Sequence, residues 1–396
     1  MRAHLPLAAV LLTLVACQSA PAEATGAGSG VVTWAASADR MGDGVAGRSY
    51  RLVVHTSVGG TDVRIRLSNA FGDRPLTFDN VHAGIQEQGA ELRPGSNRRL
   101  AFGGARTVTV PAGGTVWSDP LPGRLPAATN LVVSLHSPDA GGPASGHWMA
   151  MQTSYATQGD HTAEESGAAW TIPTGSWFYL DAVSVRAPAG TGAVVALGDS
   201  ITDGWQSTSD LNRRWPDYLA RRLKRADTTV RGVANEGISG NKVLTDLPGQ
   251  SALNRLERDV LSQPGVRTVF LFQGVNDIKA HSGVTAEDLI EGYREIVDRA
   301  HAAGKCVVVA TVGPFKGWHE WDPAAEAVRQ EVNTFIRTSG EFDAVTDFDR
   351  ILRSPYDPAR MLPALDGGDH IHPNDKGMQA MADAVDLNAL ECTATD

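Results

Sequence analysis

The fold class that this sequence predicts is an open, doubly wound parallel α/β sheet of flavodoxin type, preceded by an all-β sandwich or jelly-roll domain. Three observations predict it. Up to about Pro188 the chain carries short strand-like runs without a helical period. After that point strand-like runs alternate with amphipathic helices. Between the two patterns lies APAGTGA, residues 187–193, which reads as a linker. The expected organisation is residues 1–30 as signal and tether, 31–188 as the β-domain and 189–396 as the α/β domain. A chain of 396 residues is long enough for two such domains, each with its own core. Hydrophobic content of 42% with 20% charged residues is that of a folded protein. The formal charge is -10 and the basic residues are scattered. Without a Lys/Arg stripe, a nucleic-acid partner is excluded.

The first thirty residues carry one arginine and then an apolar stretch, Leu5 to Ala16, too short to span a bilayer. This reads as a secretory signal. Leu14-Val15-Ala16-Cys17 also resembles a bacterial lipobox, in which Cys17 is acylated and anchors the protein to the outer surface of a membrane. The alternative is cleavage near Ala22 or Ala24 and release. Both place the protein outside the cytoplasm, with no other membrane contact expected. Residues 18–30, rich in Ala, Gly, Ser and Pro, form a flexible tether. With Cys17 set aside, Cys306 and Cys392 remain, and an oxidising compartment allows them to pair. Closing a loop of that length stabilises by roughly 4 kcal/mol in the chain-entropy model. Two unrelated buried thiols are the alternative.

In the first half, SYRLVVHTSV, TDVRIRLSNAF, TVTVPAGGTVW, NLVVSLHS, HWMAMQTSYA and WFYLDAVSVRA have strand character, with Gly, Pro and Asp between them. In the second of these, Arg64 and Arg66 fall on the face opposite Val63, Ile65 and Leu67. Arg51, His55, Arg66 and Asn69 are polar residues that either reach the neighbouring domain or belong to a solvated sheet face. In the second half five strand–helix units follow one another. AVVALGDS precedes RRWPDYLARRLKRA, TTVRGVANEGISG precedes SALNRLERDVLSQ, and VRTVFLFQGVND precedes AEDLIEGYREIVDRAHAAG. KCVVVATVG then leads to PAAEAVRQEVNTFIRTSG, and FDAVTDFDRIL leads through a loop to NDKGMQAMADAVDL. The unbroken apolar run Val269–Phe272 suits a strand covered on both faces.

Reactive residues stand at the ends of these strands: Ser200 after the first, Gly240 after the second, Asn276 after the third, and Asp369 and His372 before the last helix. Ligands of open parallel sheets bind outside the carboxyl ends of the strands, so the five residues can meet in one crevice. Each has a plainer reading. Ser200 and Gly240 suit turns, Asn276-Asp277 suits a helix cap, and Asp369-His370-x-His372 carries ligand types that zinc accepts. His370 is expected to be structural or solvent-facing, and Asp203 to hydrogen-bond within its own turn. Trp205, Trp215, Trp318 and His319 suit either a pocket lining or packing.

GDSITDG, GISGN, GVND and DHIHPND resemble, in order, the four signature blocks of the SGNH (GDSL) hydrolase family. The likeness spans residues 191–390. It implies a serine esterase needing no metal or cofactor, with Ser200 as nucleophile and Asp369 and His372 as its acid and base. It also implies an oxyanion hole formed by Ser200, Gly240 and Asn276. The G-x-S-x-G elbow of α/β-hydrolases does not fit, because position 202 is Thr. The first half, through VVHTSVGGTDVRIRLSNAFGDRPL, resembles the β-sandwich ahead of the catalytic domain in some secreted bacterial SGNH esterases. Together these imply cleavage of acyl esters through an acyl-enzyme, with acetyl or feruloyl groups on carbohydrate as the preferred substrate. Aryl or short-chain lipid esters are the alternative, and a non-catalytic polysaccharide-binding protein is the alternative of another class.

Overall fold

The computed structural model describes residues 30–279 and 283–391, so the segment read as a secretory signal, with Cys17, and Cys392 lie outside the described residues. Cys306, which opens a strand of the second half, is disulfide-bonded.

The first half is all-β and its ladders are antiparallel. Arg48–His55 pairs along its whole length with Asn130–Ser137, from Asn130 opposite His55 to Ser137 opposite Arg48. A second sheet pairs Gly30–Ala35 and Gly60–Ser68 with Leu180–Arg186. Leu52 and Val133 of the first sheet meet Ile65, Leu67 and Val183 of the second in one apolar core. The solvated face expected for the polar strand residues is not found. Arg66 is buried because its Nε donates to Asp181 Oδ1 at 2.7 Å, and such burial is tolerable only for a paired charge. Arg51 is buried too, its guanidinium donating to the carbonyls of Ala90, Glu164 and Ser166 while stacking 4.1 Å from the Trp170 ring centre. Asn69 closes a loop by donating to the carbonyls of Arg74, Val110 and Pro111. His55 does reach the second half, lining a crevice with Arg214, Pro216 and Asn235.

The second half is the expected doubly wound sheet. Its five parallel strands, taken in chain order, are Gly192–Gly198, Val230–Gly237, Val266–Phe272, Cys306–Ala310 and Ala344–Thr346, and they lie side by side as 2-1-3-4-5. The period-two alternation of a strand divides its side chains between two cores. Val195, Leu197, Val269 and Val309 face Leu256, Leu289, Tyr293 and Val332. Val194, Ala196, Phe270 and Val308 face Leu219, Phe348, Met378 and Met381. Helix starts follow local chemistry. Thr285 and Asp288 form a reciprocal capping box on Ala286–Ala302, and Asp322 caps Pro323–Thr338 with proline in the first turn. The helix expected over SALNRLERDVLSQ starts as Ala252–Arg255 and widens into a π-helical turn, Leu256–Leu261.

The β-half covers one edge of the parallel sheet, the strand Val230–Gly237, which shields that strand from solvent. The Ser57 hydroxyl accepts from the Val233 N–H at 2.9 Å while its proton goes to Thr33 O at 2.7 Å, and Val32 N–H donates to Pro264 O at 2.8 Å. A single apolar cluster runs from Val31 and Trp34 to Val195 and Leu197. This cluster joins the two halves, while the one around Phe270, Phe348, Met378 and Met381 belongs to the second half alone.

Trp215 belongs to this packing and not to a pocket. It is fully buried, 4.9 Å from the Phe270 ring and 5.7 Å from that of Phe348, with its indole N–H donated to Thr202 Oγ1. Trp215→Ala is expected to lower unfolding free energy by about 3–5 kcal/mol in a denaturant titration, because the cavity cannot collapse against two rings.

Candidate active site

The first strand ends at Gly198, where a Cβ would sit 2.1 Å from Thr202 Oγ1, so no side chain fits. Asp199 is extended and caps the short helix Ser200–Asp203 by accepting from Ile201 N–H at 3.0 Å. Full burial pushes the Asp199 carboxyl up to about 6, against the opposing pull of that hydrogen bond. Ser200 therefore stands at a helix start, above the point where strand order reverses between the first and third strands.

Ser200 Oγ lies 2.7 Å from His372 Nε2, and His372 Nδ1 lies 2.8 Å from Asp369 Oδ2. The other Asp369 oxygen accepts from the backbone N–H groups of His372 at 2.9 Å and Ile371 at 3.2 Å. Partial burial acts to raise the Asp369 carboxyl, but these hydrogen bonds and the adjacent ring hold it far below the usual carboxylate range. With Nδ1–H donated to this carboxylate, the lone pair of Nε2 faces the serine hydroxyl. His370, one residue before Ile371, turns away and pairs with Asp366 at 2.7 Å, as a structural residue would.

Gly240 and Asn276 sit at the ends of the second and third strands. Gly240 has φ +78, which favours glycine, and its N–H, like that of Ser200, donates to no protein acceptor among the described residues. Asn276 lies inside the short helix Val275–Ile278 and does not cap the helix at Ala286. Its carboxamide donates to Asn241 O at 2.9 Å, which orients it. Next to it, Asp277 accepts from the N–H groups of Val243 and Leu244, locking the loop after the second strand to the end of the third. Burial pushes the Asp277 carboxyl up to about 6 against those bonds. Behind this floor, the fully buried Arg255 donates to the carbonyls of Gly198 at 2.9 Å and Glu236 at 2.6 Å, and to Asn241 Oδ1 at 3.1 Å.

Asp203 departs from the expectation of a bond within its turn. Its carboxylate leaves the turn, accepting from His147 of the β-half at 2.9 Å and from the Ser239 N–H and hydroxyl at 3.0 and 2.9 Å. His147 and Arg255 were not singled out in the sequence. An isolated histidine in an apolar run and an arginine in an amphipathic helix carry no spacing signal; a pairing so distant in the chain leaves none. At the rim, Trp205 is 46% exposed and its ring lies 6.3 Å from that of His372. Trp318 approaches the same ring at 6.0 Å, and Lys279 covers its face at 5.2 Å. His319 lies beside Trp318 and is largely exposed.

Residues 196–380 match the model of the GDSL-like lipase/acylhydrolase family. No curated protein matches the chain. Among solved structures, the Mycobacterium smegmatis aryl esterase is similar at 18% identity and TM-score 0.41, over 49% of this chain and 96% of its own. A carbohydrate acetylesterase from Sinorhizobium meliloti is similar at 19% identity and TM-score 0.39, over 49% and 96%. A GDSL-like lipase from Bacteroides thetaiotaomicron is similar at 18% identity and TM-score 0.39, over 50% and 87%. Residues 196–380, which include Ser200, Gly240, Asn276, Asp369 and His372, thus place in this chain a domain of the GDSL-like lipase/acylhydrolase family, hydrolases that act on ester bonds.

Proposed function

We propose that the protein is an exported serine esterase that removes short acyl groups, acetyl or feruloyl, from carbohydrate. The observation that carries this reading is the unbroken contact from Ser200 through His372 to Asp369 at the carboxyl end of the parallel sheet. Ser200 is the nucleophile, His372 the base and Asp369 the group that fixes the ring tautomer. His372 Nε2 takes the hydroxyl proton as Ser200 Oγ bonds to the ester carbonyl carbon. The carbonyl π electrons move to oxygen, and the N–H groups of Ser200 and Gly240 with the Asn276 carboxamide stabilise that oxyanion. Each such donor contributes a few kcal/mol to lowering the barrier. The C–O bond to the alcohol then breaks and His372 returns the proton to the leaving oxygen. Water, deprotonated by the same imidazole, releases the acid from Ser200 and restores the enzyme.

Carbohydrate as the alcohol is supported by the rim. Trp205 offers an exposed indole surface beside His372, and apolar sugar faces stack on such rings. The secretory signal and lipobox of the first residues support action outside the cytoplasm, released or tethered through Cys17. A substrate panel tests the reading: acetylated xylan, methyl ferulate, p-nitrophenyl esters of rising chain length and a phospholipid. The expected order puts acetylated xylan or methyl ferulate highest in kcat/KM. Highest turnover on long-chain esters or phospholipid contradicts it.

A further inference from the structure

We infer that His147, a residue of the β-half, is a positioning residue for ester hydrolysis in the α/β half, acting through Asp203 on the loop that carries Gly240. The inference rests on the reading of Ser200 and Gly240 given above.

The three groups within hydrogen-bond reach of the His147 ring among the described residues are all acceptors. Nδ1 meets Ser37 O at 3.0 Å, and Nε2 meets Met149 O at 3.1 Å and Asp203 Oδ1 at 2.9 Å. A neutral imidazole has one N–H and one lone pair, so only the doubly protonated ring satisfies both sides. Complete burial acts to lower the proton affinity of the ring, yet the Asp203 charge and these hydrogen bonds raise it above the ordinary imidazole value. The pair is desolvated, with side-chain exposures of 5% and 4%.

What Asp203 does with that pairing is specific to the site. It ends the helix that Ser200 begins, and its second oxygen holds both the N–H and the hydroxyl of Ser239. Ser239 is the residue before Gly240, so one carboxylate ties the nucleophile's helix to the loop presenting an oxyanion donor. The β-half touches that loop a second time, since Met149 Sδ lies 3.5 Å from Ser239 Oγ. Removing the imidazolium leaves the buried carboxylate without its paired charge, so its oxygens turn toward whatever else solvates them and loosen their hold on Ser239. The oxyanion contact is made only in the transition state, so the loss falls on kcat and not on KM.

The test compares the wild type, His147→Gln and Ser200→Ala with p-nitrophenyl acetate, reading kcat and KM separately, together with the inhibition constant of phenylboronic acid, a tetrahedral mimic. For folded His147→Gln, kcat is expected to fall about 30-fold with KM within about threefold, and the boronate constant to rise in parallel. A kcat within about twofold of wild type, or a loss confined to KM, overturns the inference. If His147→Gln does not fold, Ser239→Ala is read the same way: a kcat loss of about fivefold at constant KM supports the inference, and an unchanged kcat overturns it. A Ser200→Ala variant with full activity overturns the reading of the site itself, which keeps the two failures apart.

Discussion

Ser200→Ala is expected to lower kcat for p-nitrophenyl acetate by about ten-thousandfold or more while the thermal unfolding profile stays that of the wild type. The size follows from the chemistry: without Oγ there is no covalent intermediate, and His372 Nε2 has only water to activate. The unfolding profile follows from the packing. Ser200 is 8% exposed, and among the described residues its side chain hydrogen-bonds only the His372 ring nitrogen, so the hydroxyl holds no other part of the described fold. Stopped-assay rates on purified protein, with circular dichroism as a control, check both statements.

Asp369→Asn is the second large expected effect, a kcat loss of about a thousandfold. Asp369 uses one oxygen for the N–H groups of Ile371 and His372 and the other for the His372 ring. Asparagine has a single oxygen. With that oxygen kept by the backbone donors, its NH2 faces Nδ1, and the ring proton moves to Nε2, where it confronts Ser200. The site then holds its geometry with the wrong tautomer. The native carboxyl is held far below the usual range, so it stays ionised wherever the enzyme works, and the loss is expected at every pH of a kcat profile. A loss confined to the acid side contradicts this account.

Ser200, Gly240 and Asn276 were legible as candidates because each follows a strand, where the apolar run marks the position and glycines mark the turns, whereas Asp369 and His372 stand in the loop before the last helix and their meeting with Ser200 is a long-range contact. The order 2-1-3-4-5 is one of the few that alternating strands and helices with right-handed crossovers allow. Other features were not legible because they depend on partners far apart in the chain. Arg66 alternates onto the polar face of its strand, yet Asp181 on the neighbouring strand buries it. Asp203 has the composition of a turn residue, and only the docking of the β-half brings His147 to it. Trp215 reads equally as pocket or core until Phe270 and Phe348 are seen around it. Arg255 resembles the solvated charge of an amphipathic helix, although the backbone of two strand ends surrounds it. In each case local pattern sets the element, and long-range pairing sets what the side chain does.

Acylation of Ser200, activated by His372, is the step on which the proposed function depends. The direct measurement is peptide mass spectrometry after brief incubation with diisopropyl fluorophosphate, which forms a stable phosphoryl ester on an activated serine. One adduct per chain is expected, on the peptide containing Ser200, with labelling abolished in His372→Ala. An unmodified Ser200 peptide in enzyme that has lost its activity, or an adduct on another residue, contradicts it.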